Sequence, residues 1–273
     1  MRTAFVLGGG GLLGAAEVGM LRALLERDLV PDLVLGTSVG ALNGLVVAAD
    51  PTLGAVTRLR ELWRDVAESN AVYADGALRQ VRRAVRTGTH LHSPDALRQR
   101  LEAEYAETTF ADLACEFRCV ASCIERSAEH WFDAGPVVPA VLASAAVPGL
   151  LPPAEVGGEH FLDGGIVNSV PLGKAVELGA TRVFVLQVGR LDRPLTVPRR
   201  PWEVARVSFE IARRHRFVRE LAELPPHVEA HVLPAGGGAA DDSPLSYRDA
   251  GAVASRIRTA YDLGRAYLDE QGL

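Results

Sequence analysis

Ser38 lies between glycines in Gly36-Thr37-Ser38-Val39-Gly40, directly after the apolar run Leu33-Val34-Leu35. A G-x-S-x-G spacing at a strand-to-helix junction is the pattern of a nucleophile elbow. The glycines let the chain turn sharply without a Cβ clash and lift the hydroxyl clear of the sheet. Acyl transfer through such a serine needs two partners. One is a base for its proton, and the other is a set of donors for the oxyanion that forms on the attacked carbonyl.

A second glycine run, Gly8-Gly9-Gly10-Gly11-Leu12-Leu13-Gly14, follows the apolar segment Ala4-Phe5-Val6-Leu7. Its spacing fits a dinucleotide fingerprint, with Asp32 as the acidic residue at the next strand. The strand after Asp32 runs straight into the serine elbow, however, which a nucleotide site does not need. No lysine follows the glycines, so a P-loop is excluded. The other reading is an oxyanion hole, with successive N–H groups converging at a helix N-terminus. Neighbouring parallel strands would bring that loop beside Ser38, which favours the oxyanion hole.

Seven histidines are available as bases: His90, His92, His130, His160, His215, His227 and His231. None stands at a strand end followed by loop glycines, and each reads as a surface or core histidine. Asp163 differs: it ends the short run Glu159-His160-Phe161-Leu162 and precedes Gly164-Gly165. Asp-Gly-Gly is also an ordinary turn. A carboxylate near its usual pKa of about 4 is a poor base for serine, but burial raises that value and direct contact makes proton transfer workable.

The elements that must hold these residues alternate in type. Strands are expected at 4–7, 32–35, two within 117–132, 159–162, 182–188 and 228–233. Helices are expected at 15–27, 41–49, 137–147, 170–178, 202–224 and 247–269, with 51–106 mainly helical and Ser93-Pro94 opening a helix. The first β-α-β unit implies parallel pairing with a right-handed crossover. The pattern predicts one domain over 1–273, a three-layer α/β/α unit with a mainly parallel central sheet.

Hydrophobic residues make up 48% of the 273, enough for a large core, and the net charge of -5 argues against general nucleic-acid binding. Cys115, Cys119 and Cys123 recur every four residues. That spacing suits three metal ligands on a helix, but the surrounding residues favour a strand and nearby ligands to complete a set are missing. They read as core cysteines in a reducing compartment. No signal peptide or membrane-length apolar run is evident, so a cytoplasmic protein is expected. Gly149-Leu150-Leu151-Pro152-Pro153 and the basic positions Arg79, Arg82, Arg83 and Arg86 are candidates for peripheral contact with a lipid surface. The plainer reading of the arginines is a solvated helix face.

Four blocks together resemble the patatin-like phospholipases. Leu7 to Ala16 is similar to their oxyanion loop and Gly36 to Ala41 to their nucleophile elbow. Ala143-Ser144-Ala145-Ala146-Val147-Pro148-Gly149 with Pro152-Pro153 looks like the segment ahead of their catalytic aspartate. Phe161 to Pro171 resembles their Asp-Gly-Gly/Ala block, and Phe110-Ala111-Asp112-Leu113 has a counterpart too. The likeness runs from Thr3 to Leu178 and fades beyond. It implies a patatin-like fold and a Ser-Asp dyad without histidine, with Ser38 the nucleophile and Asp163 the base. Gly9, Gly10 and Gly11 would supply the oxyanion N–H groups, and Gly36, Gly40, Gly164 and Gly165 are the motif glycines. No metal or cofactor is implied. Leu13 stands where the family usually has Arg or Lys, and Glu17 where it often has a polar or aromatic residue. Loss of that cation favours simple acyl esters over phosphate-bearing lipids. The expected activity is a serine lipid acyl hydrolase acting on a lipid or acyl ester. The alternatives are acyl transfer or thioester hydrolysis at the same dyad, or a lipid-binding homologue with weakened catalysis.

Overall fold

The computed structural model describes residues 1–69, 93–188, 194–236 and 250–273. In chain order, β1 (Thr3–Leu7) leads through a short 3-10 turn to α1 (Ala15–Leu25), and β2 (Leu33–Thr37) leads to α2 (Val39–Ala49). Then come α3 (Leu53–Ser69), α4 (Asp95–Tyr105), β3 (Glu116–Cys123), β4 (Ala128–Phe132) and α5 (Val137–Ser144). The hairpin β5 (Ala154–Val156) and β6 (Glu159–Asp163) precedes α6 (Leu172–Glu177) and β7 (Arg182–Leu186). The remaining elements are α7 (Pro201–Ala222), β8 (Glu229–Val232) and α8 (Ala250–Gln271).

The strands form one mixed sheet in the order β5-β6-β3-β2-β1-β7-β8, with β4 on the other edge of β3. The pairings from β3 through β8 are parallel, and those of β4, β5 and β6 are antiparallel. Alternation along β1 sends Phe5 and Leu7 to one face and Ala4 and Val6 to the other. The first face packs against Leu21 and Leu24 of α1, Leu45 of α2, Trp63 of α3, Val141 of α5 and Leu268 of α8. The second packs against Leu172 and Ala175 of α6 and Phe217 of α7. Helices therefore cover both faces, and β7, β8 and α8 belong to the same sheet and core as the N-terminal half.

One register detail places the site. Thr37, the last residue of β2, lies opposite Val120, and Asp163, the last of β6, lies opposite the next residue, Ala121. β4 occupies the opposite edge of β3 through the same residues. β2 and β6 therefore share one edge of β3, end to end, and their C-terminal ends meet.

Several boundaries differ from expectation for local reasons. β2 continues through Gly36 and Thr37 instead of stopping at Leu35, because Gly36 leaves room for α2 to fold back. A Cβ on Gly36 would lie 2.5 Å from the Ala41 Cα. β5 is a strand the sequence pattern missed, being only three residues long. Gly157 and Gly158, with φ of 61° and 83°, turn it into β6. The helix expected at 137–147 ends at Ser144, ahead of Pro148. α6 begins only after Pro171. Asp95 donates its amide to Ser93 Oγ at 3.3 Å, at the start of α4.

Cys119 and Cys123 lie in β3 within the first core face, and Cys115 precedes the strand with its amide on the Ala48 carbonyl. All three are free thiols. Burial raises the thiol pKa of Cys119 and, aided by the charges of Asp32 and Glu116, pushes that of Cys115 up to about 12. The basic positions Arg79 to Arg86, with His90, His92 and the stretch 237–249, lie outside the described residues. Among the described residues no helix is long and apolar enough to cross a membrane.

Candidate active site

Ser38 occupies the tight bend between β2 and α2 with φ 55° and ψ -121°, a conformation that L-residues adopt only under constraint. Two glycines make the bend possible. A Cβ on Gly40 would fall 2.2 Å from the Leu7 carbonyl oxygen, and one on Gly36 would strike α2. The Ser38 amide donates to Ser144 Oγ at 2.9 Å, and its carbonyl accepts from Ala41 and Leu42 in the first turn of α2. Ser38 and Ser144 are both buried.

The side chain of Ser38 points at the end of β6. Its Oγ donates to Asp163 Oδ2 at 2.5 Å, while Asp163 Oδ1 accepts from the Gly165 amide at 2.7 Å. The Asp163 carbonyl is tied to β3 by Ser122 Oγ at 2.8 Å. Gly164 lets this strand end lie flat on β3, since a Cβ there would sit 2.1 Å from the Val120 oxygen. Burial raises the Asp163 carboxyl from 3.8 to about 6, against the opposing pull of the bonds from Ser38 and Gly165. Among the described residues no histidine bonds to Ser38. His160 pairs with Glu125 on the surface, and His231 stacks on Phe184 in the core.

The glycine loop enters beside this pair. Gly8 donates to the Leu186 carbonyl and Gly9 to the Ser169 carbonyl, at 3.0 and 2.8 Å. The Gly9 amide is thus already paired, which corrects the expectation that Gly9, Gly10 and Gly11 all supply oxyanion donors. The Gly10 and Gly11 amides have no backbone partner among the described residues, and Gly11 turns with φ 56°. Gly10 is pressed against Val188, where a Cβ would meet Cγ2 at 2.2 Å. Leu13 packs against the core, and its amide closes the 3-10 turn onto the Gly10 carbonyl.

Behind the loop lies a buried polar chain that sequence reasoning did not connect. Trp63 Nε1 donates to Asn43 Oδ1 at 3.1 Å, and Asn43 Nδ2 donates to Glu17 Oε2 at 2.7 Å and to the Gly14 carbonyl at 3.0 Å. Burial holds the Glu17 carboxyl well above the usual carboxylate range despite the bond from Asn43.

A pocket of about 160 Å³ opens from Ser38 between α2, α3 and α4. Its walls are nearly all apolar, including Leu42, Val46, Leu62, Trp63, Leu101 and Leu151. Leu151, in the segment expected to meet a lipid surface, turns into this pocket. The arrangement places a hydroxyl hydrogen-bonded to a carboxylate at the mouth of an apolar trough.

The comparisons with known proteins agree on the fold. Residues 5–176 match the model of the patatin-like phospholipase family. A patatin-like phospholipase domain-containing protein of Caenorhabditis elegans is 34% identical over 197 residues, and lysophospholipase nte1 of Aspergillus terreus is 29% identical over 198. Each match covers 68% of this chain but only 14% and 12% of those much longer relatives. The crystal structure of VipD from Legionella pneumophila superposes with a TM-score of 0.51 at 14% identity, covering 98% of this chain and 67% of that one. The family match runs from β1 into α6 and takes in both Ser38 and Asp163: the chain belongs to the patatin-like phospholipase family.

Proposed function

We propose that this chain is a serine lipid acyl hydrolase, with residues 1–273 acting as one unit and Ser38 and Asp163 as a catalytic dyad. The observation that carries the reading is the 2.5 Å bond from Ser38 Oγ to Asp163 Oδ2. Asp163 Oδ2 takes the hydroxyl proton as Ser38 Oγ attacks the ester carbonyl carbon. The oxyanion accepts from the Gly10 and Gly11 amides, each such donor contributing about 3 kcal/mol to the transition state. Asp163 then returns the proton to the departing alkoxide, leaving Ser38 acylated. Water attacks the acyl carbon and gives a proton to Asp163, which passes it to Ser38 Oγ as the bond from that oxygen to the acyl carbon breaks, so the free acid leaves with the serine hydroxyl and the carboxylate restored.

Two features support a carboxylate in this role. Its raised pKa narrows the gap to the serine hydroxyl, and its second oxygen is held by Gly165, so the base needs no reorientation. The apolar pocket beside Ser38 suits an acyl chain, and the lipid-directed names of the relatives point the same way. Peripheral approach to a lipid surface is part of the proposal, with the 149–153 segment forming the pocket rim through Leu151. Flotation with anionic vesicles tests that part: protein that stays at the bottom of the gradient removes it.

Hydrolysis of short p-nitrophenyl esters by the wild type, Ser38→Ala and Asp163→Asn tests the dyad. Loss of turnover in both variants with the fold retained is expected. Turnover that survives in either folded variant would sink the assignment.

A further inference from the structure

The active-site loops are braced from outside by a single helix, α7, which lies beyond the family-model match. Arg213 reaches in from this helix with only 5% of its side chain exposed. Its Nη1 donates to the Gly9 carbonyl oxygen at 3.1 Å, across 204 positions of sequence, and its Nη2 donates to Glu210 Oε2 at 2.9 Å. One turn on, Arg216 Nη1 donates to the Val167 carbonyl, in the loop that follows Asp163. The Phe209 ring covers Gly165, close enough that a Cβ there would meet Cζ at 3.0 Å. The two loops are also tied to each other through the Gly9 amide and the Ser169 carbonyl.

The Gly9 carbonyl and the Gly10 N–H belong to one planar peptide unit, and the chain has no cis peptides. In a trans peptide the two groups point in opposite directions. Fixing the oxygen with a guanidinium therefore aims the Gly10 N–H away from α7. A cation on the oxygen also polarises the amide and strengthens its N–H as a donor. Glu210 balances the charge and holds the guanidinium through its Nη2.

We propose that Arg213 is a positioning residue for the oxyanion loop, orienting and polarising the Gly9–Gly10 peptide so that Gly10 can stabilise the oxyanion. This rests on the Ser38–Asp163 reading. Leu13, within the same loop, packs on the core.

The test compares Arg213→Lys, Arg213→Met and Arg213→Ala with the wild type on a p-nitrophenyl ester. Melting temperature and Ser38 labelling by a fluorophosphonate are followed in parallel. Expected is a kcat lower by about 10- to 100-fold in Arg213→Met with KM little changed, since a weakened donor acts in the transition state. Arg213→Lys should retain more activity than Arg213→Met. Added guanidinium at a non-denaturing concentration should restore turnover to Arg213→Ala but not to Ser38→Ala. Binding of a trifluoromethyl ketone, which presents an oxyanion once Ser38 adds to it, should weaken in step with kcat/KM. Wild-type kcat in Arg213→Met overturns the proposal. So does a loss that follows melting temperature and is not rescued by guanidinium, which would mean a purely structural role. A wild type that is itself unlabelled and inactive overturns the dyad reading first, and is recognised before any Arg213 variant is compared.

Discussion

The Ser38 amide and Ser144 Oγ are bonded to each other at 2.9 Å, and the two residues are 106 positions apart. Ser144 therefore holds Ser38 from its backbone side while Asp163 holds it from its side chain. Ser144→Ala leaves a buried N–H unpaired, at a cost of about 1–3 kcal/mol, at a residue already in an unfavourable conformation. A lower melting temperature and a several-fold lower kcat are expected. An unchanged melting temperature would show that the elbow does not need this bond.

The activity should have an acid limb set by Asp163. Its carboxyl ionises at about 6 in the folded chain and must be charged to accept the serine proton. The rate should fall about tenfold per pH unit below that value. A pH profile of kcat/KM on a neutral ester checks this, and a flat profile down to pH 5 would remove Asp163 as the base.

The same carboxyl should lower folding stability at neutral pH. In the unfolded chain Asp163 ionises near 3.8, and in the folded chain near 6. Between these values the folded state holds the extra proton, so stability declines as pH rises through the window and stays lowered above it. At about 1.4 kcal/mol per pH unit the loss is roughly 3 kcal/mol. Asp163→Asn keeps the shape and both hydrogen bonds, with Ser38 Oγ now accepting. It should melt higher than the wild type at pH 7 and lose that advantage near pH 4. Paired thermal melts at the two pH values decide it.

Filling the apolar pocket should change which acyl chains are accepted. Val46 is 3% exposed and lines the trough on α2. Val46→Phe intrudes into the space, with about 1–3 kcal/mol of packing strain. The octanoate-to-acetate ratio of kcat/KM for p-nitrophenyl esters should fall about tenfold, which corresponds to losing room for a methylene or two. An unchanged ratio would place the acyl chain elsewhere.

What was legible in the sequence was what local sterics impose. Gly36, Gly40 and Gly164 are glycines because backbone lies within 2.5 Å of where a Cβ would stand, so the motifs record the packing directly. The apolar runs gave the central strands for the same reason, since each is buried on both faces. Long-range bonds left no such trace. That Gly9 is paired with Ser169, that Ser144 caps Ser38 and that Arg213 reaches the glycine loop all depend on distant segments meeting. An arginine in a polar helix looks like any solvated arginine until the helix is placed. β5 was missed because three residues are too few for a periodicity.

The shared edge of β3 also limits how this fold can vary. Ser38 and Asp163 come from strands running in opposite directions and abutting at Val120 and Ala121. Sliding β6 by one residue would bring Leu162 or Gly164 to that junction and turn the carboxylate to the other side of the sheet. Changes in the length of the β5–β6 hairpin are thus compatible with the Ser38–Asp163 bond only when the turn at Gly157 and Gly158 absorbs them. An insertion within β6 itself would leave a folded sheet in which Ser38 no longer meets Asp163.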